Sequence, residues 1–177
     1  NNLNGRQVKD YLTLLLFTGI RRQEGMRLKW TQVDLKAKTL TIIDTKNRNP
    51  LTLPLGPFIL KLLKARKSIA TDSPFVFPGT GKTGHLVESK YQTAQVTKES
   101  GIKFCLHDLR RVFINAAEGL DISSFAVKQL VNHSVNGDVT SGYLVPDPER
   151  LRKPMERIET HLLRLCRKDT AKVISIK

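Results

Sequence analysis

Long hydrophobic runs and acidic residues are both scarce in this sequence. The longest apolar runs, such as Leu14 to Phe17 and Phe58 to Leu60, fall far short of the ~20 residues that cross a bilayer, so we expect no membrane span. The 177 residues include 16 Asp and Glu against 30 Lys and Arg, a formal net charge of +14. Such an excess attracts a polyanion, with nucleic acid the first candidate and an anionic membrane the second.

Cysteine and histidine are too few, and too far apart, to indicate a metal site. Cys105 and Cys166 alone make no metal motif, and their neighbours are typical of buried helix positions. We expect both to be reduced thiols in a cytoplasmic protein, with a disulfide as the alternative. No His-x-x-x-His or His/Cys spacing occurs among the four histidines, which are His85, His107, His133 and His161. The sequence therefore predicts no metal and no other cofactor.

A glycine-rich segment at residues 79–84 has a superficial likeness to a nucleotide-binding loop. Its sequence is Gly-Thr-Gly-Lys-Thr-Gly, whereas a P-loop needs Gly-x-x-x-x-Gly-Lys-Ser/Thr between a strand and a helix. Because the glycine spacing differs, we expect an ordinary loop there and no bound nucleotide.

The length and the N-terminal residues bear on domain organisation. A chain of 177 residues suits one domain, because domains commonly have about 100–200 residues. Residues 1–6 contain neither an initiating Met nor the basic and apolar regions of a signal peptide. We therefore expect residues 1–177 to be a single domain taken from a longer protein.

The apolar periodicity predicts a mainly α-helical domain with a small antiparallel sheet, an α+β class. Alternating apolar residues at 35–42 and 51–55 predict a β-hairpin with a polar tip at 44–50, and residues 75–77 are a candidate third strand. The last helix contains Pro154, where we expect an interruption or a kink. Helices are predicted at 7–17, 22–30, 57–67, 87–100, 107–118, 123–131 and 148–168.

Several short motifs, each weak alone, follow one another in a distinctive order. They are Thr18-Gly19-Ile20-Arg21, Lys46 in the hairpin tip, Leu106-His107-Asp108-Leu109-Arg110, Asn132-His133 and Tyr143. In this order and spacing they resemble the catalytic domain of the tyrosine recombinases, the phage integrase family. Glu24, three residues after Arg21, and the segment 28–34 also match the family pattern. Two departures are Asn132, where many members have Gly, and a His133-to-Tyr143 interval of ten residues rather than nine.

The resemblance implies the tyrosine recombinase catalytic-domain fold and a site on a scissile DNA phosphate. Arg21 and Arg110 would bind the non-bridging oxygens, since a planar guanidinium matches phosphate geometry and stays protonated. Tyr143 would attack the phosphorus to give a 3′-phosphotyrosyl intermediate, which conserves the bond energy without ATP or a metal.

Three further residues would move or hold protons in that reaction. His107 would help to deprotonate Tyr143, Lys46 would protonate the departing 5′-oxygen, and His133 would donate a hydrogen bond to a phosphate oxygen. Each has a plainer alternative. His107 and Asp108 could cap a helix, Lys46 could be a solvated turn residue, and His133 could be a satisfied residue at a helix end.

The function implied by the resemblance is site-specific recombination through a Holliday junction, for integration or excision of a prophage or mobile element. Double-stranded DNA, other protomers in a tetramer on paired sites and DNA-bending accessory proteins would be the partners, on the bacterial nucleoid. Full-length relatives carry N-terminal DNA-binding domains that this chain would lack. Residues 148–177 would form a C-terminal helical segment that packs either on its own domain or on a neighbour.

Two other functions stay open at this point. A topoisomerase-like enzyme would share the tyrosine chemistry but rejoin the same strand. A non-catalytic basic DNA-binding domain would keep the motif residues without using them.

Overall fold

Helices dominate the computed structural model, which describes residues 2–43, 50–87, 90–132 and 147–173. In these ranges the helices are α1 (Asn2–Thr18), α2 (Arg22–Met26), α3 (Pro57–Lys67), α4 (Lys90–Ser100), α5 (Leu106–Glu118), α6 (Ser124–Leu130) and α7 (Pro148–Val173). A short 3-10 helix covers Trp30–Gln32, and the strands are β1 (Val33–Asp34), β2 (Thr39–Ile42) and β3 (Leu51–Pro54). The predicted class, mainly α with a small antiparallel sheet, is confirmed.

The three strands form one antiparallel sheet in the order β1-β2-β3. Leu40 pairs with Leu53, and both are fully buried, whereas Thr41 and Thr52 on the other face place their hydroxyl oxygens 3.1 Å apart. This alternation of buried and polar positions confirms the predicted hairpin of β2 and β3. Residues 44–49 of its predicted tip lie outside the described residues.

The prediction of residues 75–77 as the third strand of this sheet is wrong, because β1 occupies that place. Residues 74–78 instead pair with 28–30 and 84–86 in a second set of backbone hydrogen bonds, which we call the side ladder. Its bonds are Trp30 N–H to Pro74 O at 2.9 Å, Val76 N–H to Leu28 O at 2.8 Å and Leu86 N–H to Phe77 O at 2.7 Å. Pro74 and Pro78 have no N–H to donate, which keeps the ladder short.

Other predictions need smaller corrections. The second helix ends at Met26 rather than at Trp30, and a separate 3-10 turn follows. Of the two outcomes expected at Pro154, an interruption or a kink, the interruption is absent, since α7 continues through this residue. The carbonyl that Pro154 leaves without a helical partner belongs to Arg150, an exposed residue that water can reach. Cys105 and Cys166 are free, as expected, but exposed rather than buried.

Helix α7 closes one side of the hydrophobic core. Leu151, Met155, Ile158 and Leu162 recur at helical spacing and are buried, and the helix contacts β3, α5, α1 and α6 of the same chain. None of the described helices combines the length and the apolar character that a membrane span needs.

Glu159 lies within this apolar face of α7 and is itself buried. Its carboxylate accepts hydrogen bonds from the backbone N–H groups of Phe58, at 2.8 Å, and Ile59, at 3.2 Å. These groups belong to the first turn of α3, which has no side-chain cap of its own. Burial raises the pKa of Glu159, although the two backbone hydrogen bonds oppose that shift. Glu159 therefore anchors α7 to the start of α3.

Replacing Glu159 by Leu should lower the free energy of unfolding at pH 7 by about 1–3 kcal/mol, because one buried and one partly buried N–H group lose their acceptor. Urea unfolding measures this, with Glu156→Leu at an exposed position of α7 as the matched control. Glu159→Gln keeps an acceptor oxygen and should cost less.

Because the pKa of Glu159 is raised in the folded state, its contribution to the free energy of unfolding increases as pH falls. Wild type should therefore gain stability relative to Glu159→Gln between pH 7 and pH 4.5, the ordinary pKa of a glutamate carboxyl.

Candidate active site

A cleft of about 1140 Å³ lies between α2, the start of α5, the end of β2 and the side ladder. Its described lining is strongly basic, since five Arg and Lys side chains and two histidines accompany a single carboxylate, that of Glu24. The basic lining residues are Arg21, Arg22, Arg27, Lys29, His85, His107 and Arg110. An anion fits this cleft better than a neutral or cationic ligand.

Arg110 forms the buried base of the cleft. It projects from α5 and is only 3% exposed. Its Nη1 donates to the Gly19 carbonyl at 2.6 Å, and its Nη2 donates to the Val131 carbonyl. Burial, and then the positive charge of Arg21, lower the pKa of Arg110 to about 10, so the group is still protonated at neutral pH. The protein thus holds a fixed, poorly hydrated positive charge here.

The Thr-Gly turn before Arg21 directs the Gly19 carbonyl to Arg110. Gly19 has φ +66°, a left-handed conformation that glycine adopts without strain. A Cβ atom at this position would lie 2.5 Å from Cδ1 of Phe113 in α5. No larger residue fits, so the turn rests directly against the helix that carries Arg110.

Arg21 is held by its acidic partner and by a backbone carbonyl. The Glu24 carboxylate accepts from the Arg21 backbone N–H at 2.7 Å and from its Nη1 at 3.1 Å. The Arg21 Nη2 donates to the Asn132 carbonyl at 3.2 Å. The side chain of Arg21 is 25% exposed and that of Glu24 only 5%, so the arginine is the member of the pair that a ligand can reach.

The Val131–Asn132 turn is fastened by both arginines, one to each carbonyl. Asn132 has φ +46°, in the left-handed region where asparagine is the best-tolerated residue after glycine. This conformation explains why asparagine can replace the glycine that many family members have. The two guanidinium groups therefore fix the backbone immediately before His133.

Replacing Asn132 by Val should lower the free energy of unfolding by about 1–2 kcal/mol, because a β-branched residue is strained at positive φ. Asn132→Gly removes the same amide side chain but should lose less stability, because glycine adopts a positive φ without strain. Urea unfolding of the two variants makes the comparison, and equal losses would show that the left-handed conformation is not what this position requires.

At the start of α5, helix capping and lining of the cleft fall to different residues, Asp108 and His107. Asp108 caps the helix, since its Oδ2 accepts from the Cys105 backbone N–H at 2.8 Å and its Oδ1 binds Arg111 at 3.0 Å. The hydrogen bond from Cys105 lowers the pKa of Asp108. His107 is exposed and lines the cleft with Arg21 and Arg110. The capping alternative therefore applies to Asp108.

The structure brings three of the six predicted site residues, Arg21, His107 and Arg110, to one cleft. The other three, Lys46, His133 and Tyr143, lie outside the described residues. Sequence reasoning missed several lining residues, among them Arg27, Lys29, Phe75, His85 and Cys105. The sequence showed the charge of these residues or their position near a motif, but nothing that placed their side chains in the cleft. Within the described ranges, no group of three or more His, Cys, Asp or Glu could hold a metal ion.

The chain belongs to the phage integrase family, whose family model matches residues 3–150. A curated relative is the prophage integrase IntF of Escherichia coli strain K12, 32% identical over 168 residues that cover 92% of this chain and 36% of IntF. Another is the tyrosine recombinase XerD of Rhizobium meliloti strain 1021, 28% identical over 70% of this chain and 42% of that protein. The chain thus spans well under half the length of these relatives.

Solved structures with the same fold include a phage integrase and a site-specific recombinase. The integrase of mycobacterium phage Brujita matches with a TM-score of 0.67 and 22% identity, over 86% of this chain and 51% of that one. The XerH site-specific recombinase bound to difH substrate, in a pre-cleavage complex, matches with a TM-score of 0.59 and 20% identity, over 97% of this chain and 45% of that one. At these identities the likeness establishes the fold.

Proposed function

We propose that this chain is the catalytic domain of a site-specific DNA recombinase that cuts and rejoins DNA strands through a 3′-phosphotyrosyl intermediate. The observation that carries the proposal is the convergence of Arg21, Arg110 and His107 on one basic cleft, in a chain of the phage integrase family. The described part of the cleft supplies what a phosphodiester needs, namely two guanidinium groups and an imidazole.

The two arginines would stabilise the charge that develops on the non-bridging phosphate oxygens. Arg110 is fixed by two carbonyls and Arg21 by Glu24 and Asn132, so neither has to reorganise during the reaction. Donors held in place in a poorly hydrated site stabilise a transition state more than mobile donors in water do.

The covalent step is assigned to residues outside the described ranges together with His107. The Tyr143 oxygen would attack the phosphorus as His107 assists loss of the phenolic proton. The P–O5′ bond would break, and Lys46 would protonate the departing 5′-oxygen, while His133 would donate a hydrogen bond to a phosphate oxygen. Attack by the 5′-hydroxyl of another strand would reverse these steps and release the tyrosine.

Recombination of this kind also requires partners. We propose double-stranded DNA as the substrate, other protomers assembled as a tetramer on paired sites, and DNA-bending accessory proteins, all on the bacterial nucleoid. The XerH structure is described as bound to its difH substrate. The task would be integration or excision of a prophage or another mobile element.

A trapping experiment tests the proposal. The chain is incubated with a library of duplexes that have randomised sequence and a strand interruption, so that the 5′-end released by cleavage diffuses away. We expect a protein–DNA adduct that survives denaturation, in which peptide mapping places the DNA on a tyrosine and sequencing identifies the site. If the library yields no adduct while the chain still binds DNA, the chain is a non-catalytic binding domain. Relaxation of supercoiled plasmid without any site preference would favour the topoisomerase-like alternative.

A further inference from the structure

The side ladder forms part of the cleft wall and brings three side chains from distant segments together. Lys29 and Phe75 are partners in an antiparallel bridge, and Pro78 and His85 are partners in another. Lys29, Phe75 and His85 all line the cleft that holds Arg21 and Arg110. We call these three residues the Lys29 cluster.

The glycine-rich segment 79–84 is the turn that places His85 in this cluster. The Gly79 N–H donates to the Gly84 carbonyl at 3.0 Å. A Cβ atom on Gly79 would lie 2.1 Å from the His85 carbonyl oxygen, so the two chain segments can meet only at a glycine. The glycines that imitate a nucleotide-binding loop thus serve a tight hairpin at the cleft wall.

The phenyl ring of Phe75 is the centre of the Lys29 cluster. The His85 ring meets it edge-on, with centroids 5.4 Å apart, and the Lys29 Nζ lies 5.8 Å from its centroid. His85 Nδ1 lies 2.8 Å from the Leu86 carbonyl oxygen. Because a carbonyl only accepts, Nδ1 carries the hydrogen, and this hydrogen bond fixes the orientation of the His85 ring against Phe75.

The charge of Lys29 is not neutralised within the described part of the chain. The lysine is exposed and pairs with no carboxylate there, and Glu24, the one carboxylate of the described lining, is bound to Arg21. A cation–π contact near 6 Å at an exposed site is weak, so the ammonium can turn to an anion at little cost.

We propose that the Lys29 cluster is a subsite for one sugar–phosphate unit of the DNA backbone, separate from the scissile phosphate held by the two arginines. The Lys29 ammonium binds the phosphate, and the half-buried Phe75 ring contacts the adjoining deoxyribose, while His85 keeps the ring in place. A free inorganic anion would use the cation but not the ring. The proposal rests on the proposed function in taking DNA as the ligand.

Equilibrium binding to an intact duplex, measured over a range of salt concentrations, tests the subsite. Lys29→Gln should weaken binding several-fold and make the plot of log affinity against log salt shallower by about 0.9, the value for one lost phosphate contact. Phe75→Leu should weaken binding without changing that slope, because an apolar contact releases no counterions. Lys61→Gln, at an exposed position of α3 outside the cleft lining, is the matched control for net charge.

Equal affinities and slopes for Lys29→Gln and Lys61→Gln would overturn the subsite. Thermal unfolding verifies that each variant is folded, and Lys29→Gln keeps the test valid even where Phe75→Leu unfolds, because Lys29 is exposed. The outcome is independent of strand cleavage. Lack of an adduct in the trapping experiment would overturn the proposed chemistry while leaving these binding differences intact. An adduct together with equal binding by Lys29→Gln and Lys61→Gln would overturn the subsite alone.

Discussion

Replacing Tyr143 by Phe should abolish the denaturation-resistant protein–DNA adduct, because only the phenolic oxygen is removed and that oxygen is the proposed nucleophile. DNA affinity should be nearly unchanged, since a single neutral hydroxyl contributes little to a contact dominated by phosphates. The measurement is a denaturing gel of the protein with a labelled, interrupted duplex that carries the trapped site, alongside binding to the intact duplex.

Tyr91→Phe is the matched control for this experiment. It makes the same chemical change at another tyrosine, in α4, and should leave adduct formation at the wild-type rate. An adduct formed by the Tyr143→Phe protein would assign the nucleophile to another residue. Loss of the adduct in both variants would mean that the change acts through folding, which thermal unfolding would reveal.

Replacing Arg110 by Lys should reduce the rate of adduct formation by roughly 10²–10³, the loss typical of removing one preorganised donor from an anionic transition state. The structure also predicts a loss of about 1–3 kcal/mol in the free energy of unfolding. A lysine ammonium cannot reproduce the planar fork that reaches both the Gly19 and the Val131 carbonyls, so a buried acceptor is left without its donor.

Arg111→Lys, one position further along α5, is the control for Arg110→Lys. Arg111 is exposed and its guanidinium pairs with the capping residue Asp108, so we expect both rate and stability to stay near wild type. Single-turnover rates at saturating protein separate the chemical step from DNA binding, and urea unfolding gives the stability. A rate for Arg110→Lys within threefold of wild type would remove Arg110 from the proposed phosphate clamp.

The arginine site could be predicted from the sequence because its parts lie in short local motifs. Arg21 follows a Thr-Gly turn and Arg110 follows a helix start, and the order and spacing of these motifs carry the family resemblance that implies a shared site. The Lys29 cluster could not be predicted in this way. Its three residues come together through backbone pairing between distant segments, and residues 75–77 carry the same apolar signal whether they join the main sheet or the side ladder.

Cys105 shows a different limit of sequence reasoning. Apolar neighbours indicated a buried helix position, but the residue stands just before α5, where its N–H is capped by Asp108 and its side chain is exposed. Periodicity within a helix does not reveal on which side of the first turn a residue falls, and burial changes sharply at that boundary.

The contact of Gly19 with the ring of Phe113 would lower the entropic cost of binding a DNA phosphate at the proposed site. Phe113 lies three residues after Arg110 and Gly19 two residues before Arg21, so the two guanidinium-bearing segments touch through one rigid ring. Arginine side chains that are free in solution lose up to ~2 kcal/mol of rotational entropy when they bind a ligand. Here that loss is incurred when the chain folds, and a bound phosphate meets two donors whose relative position is already set.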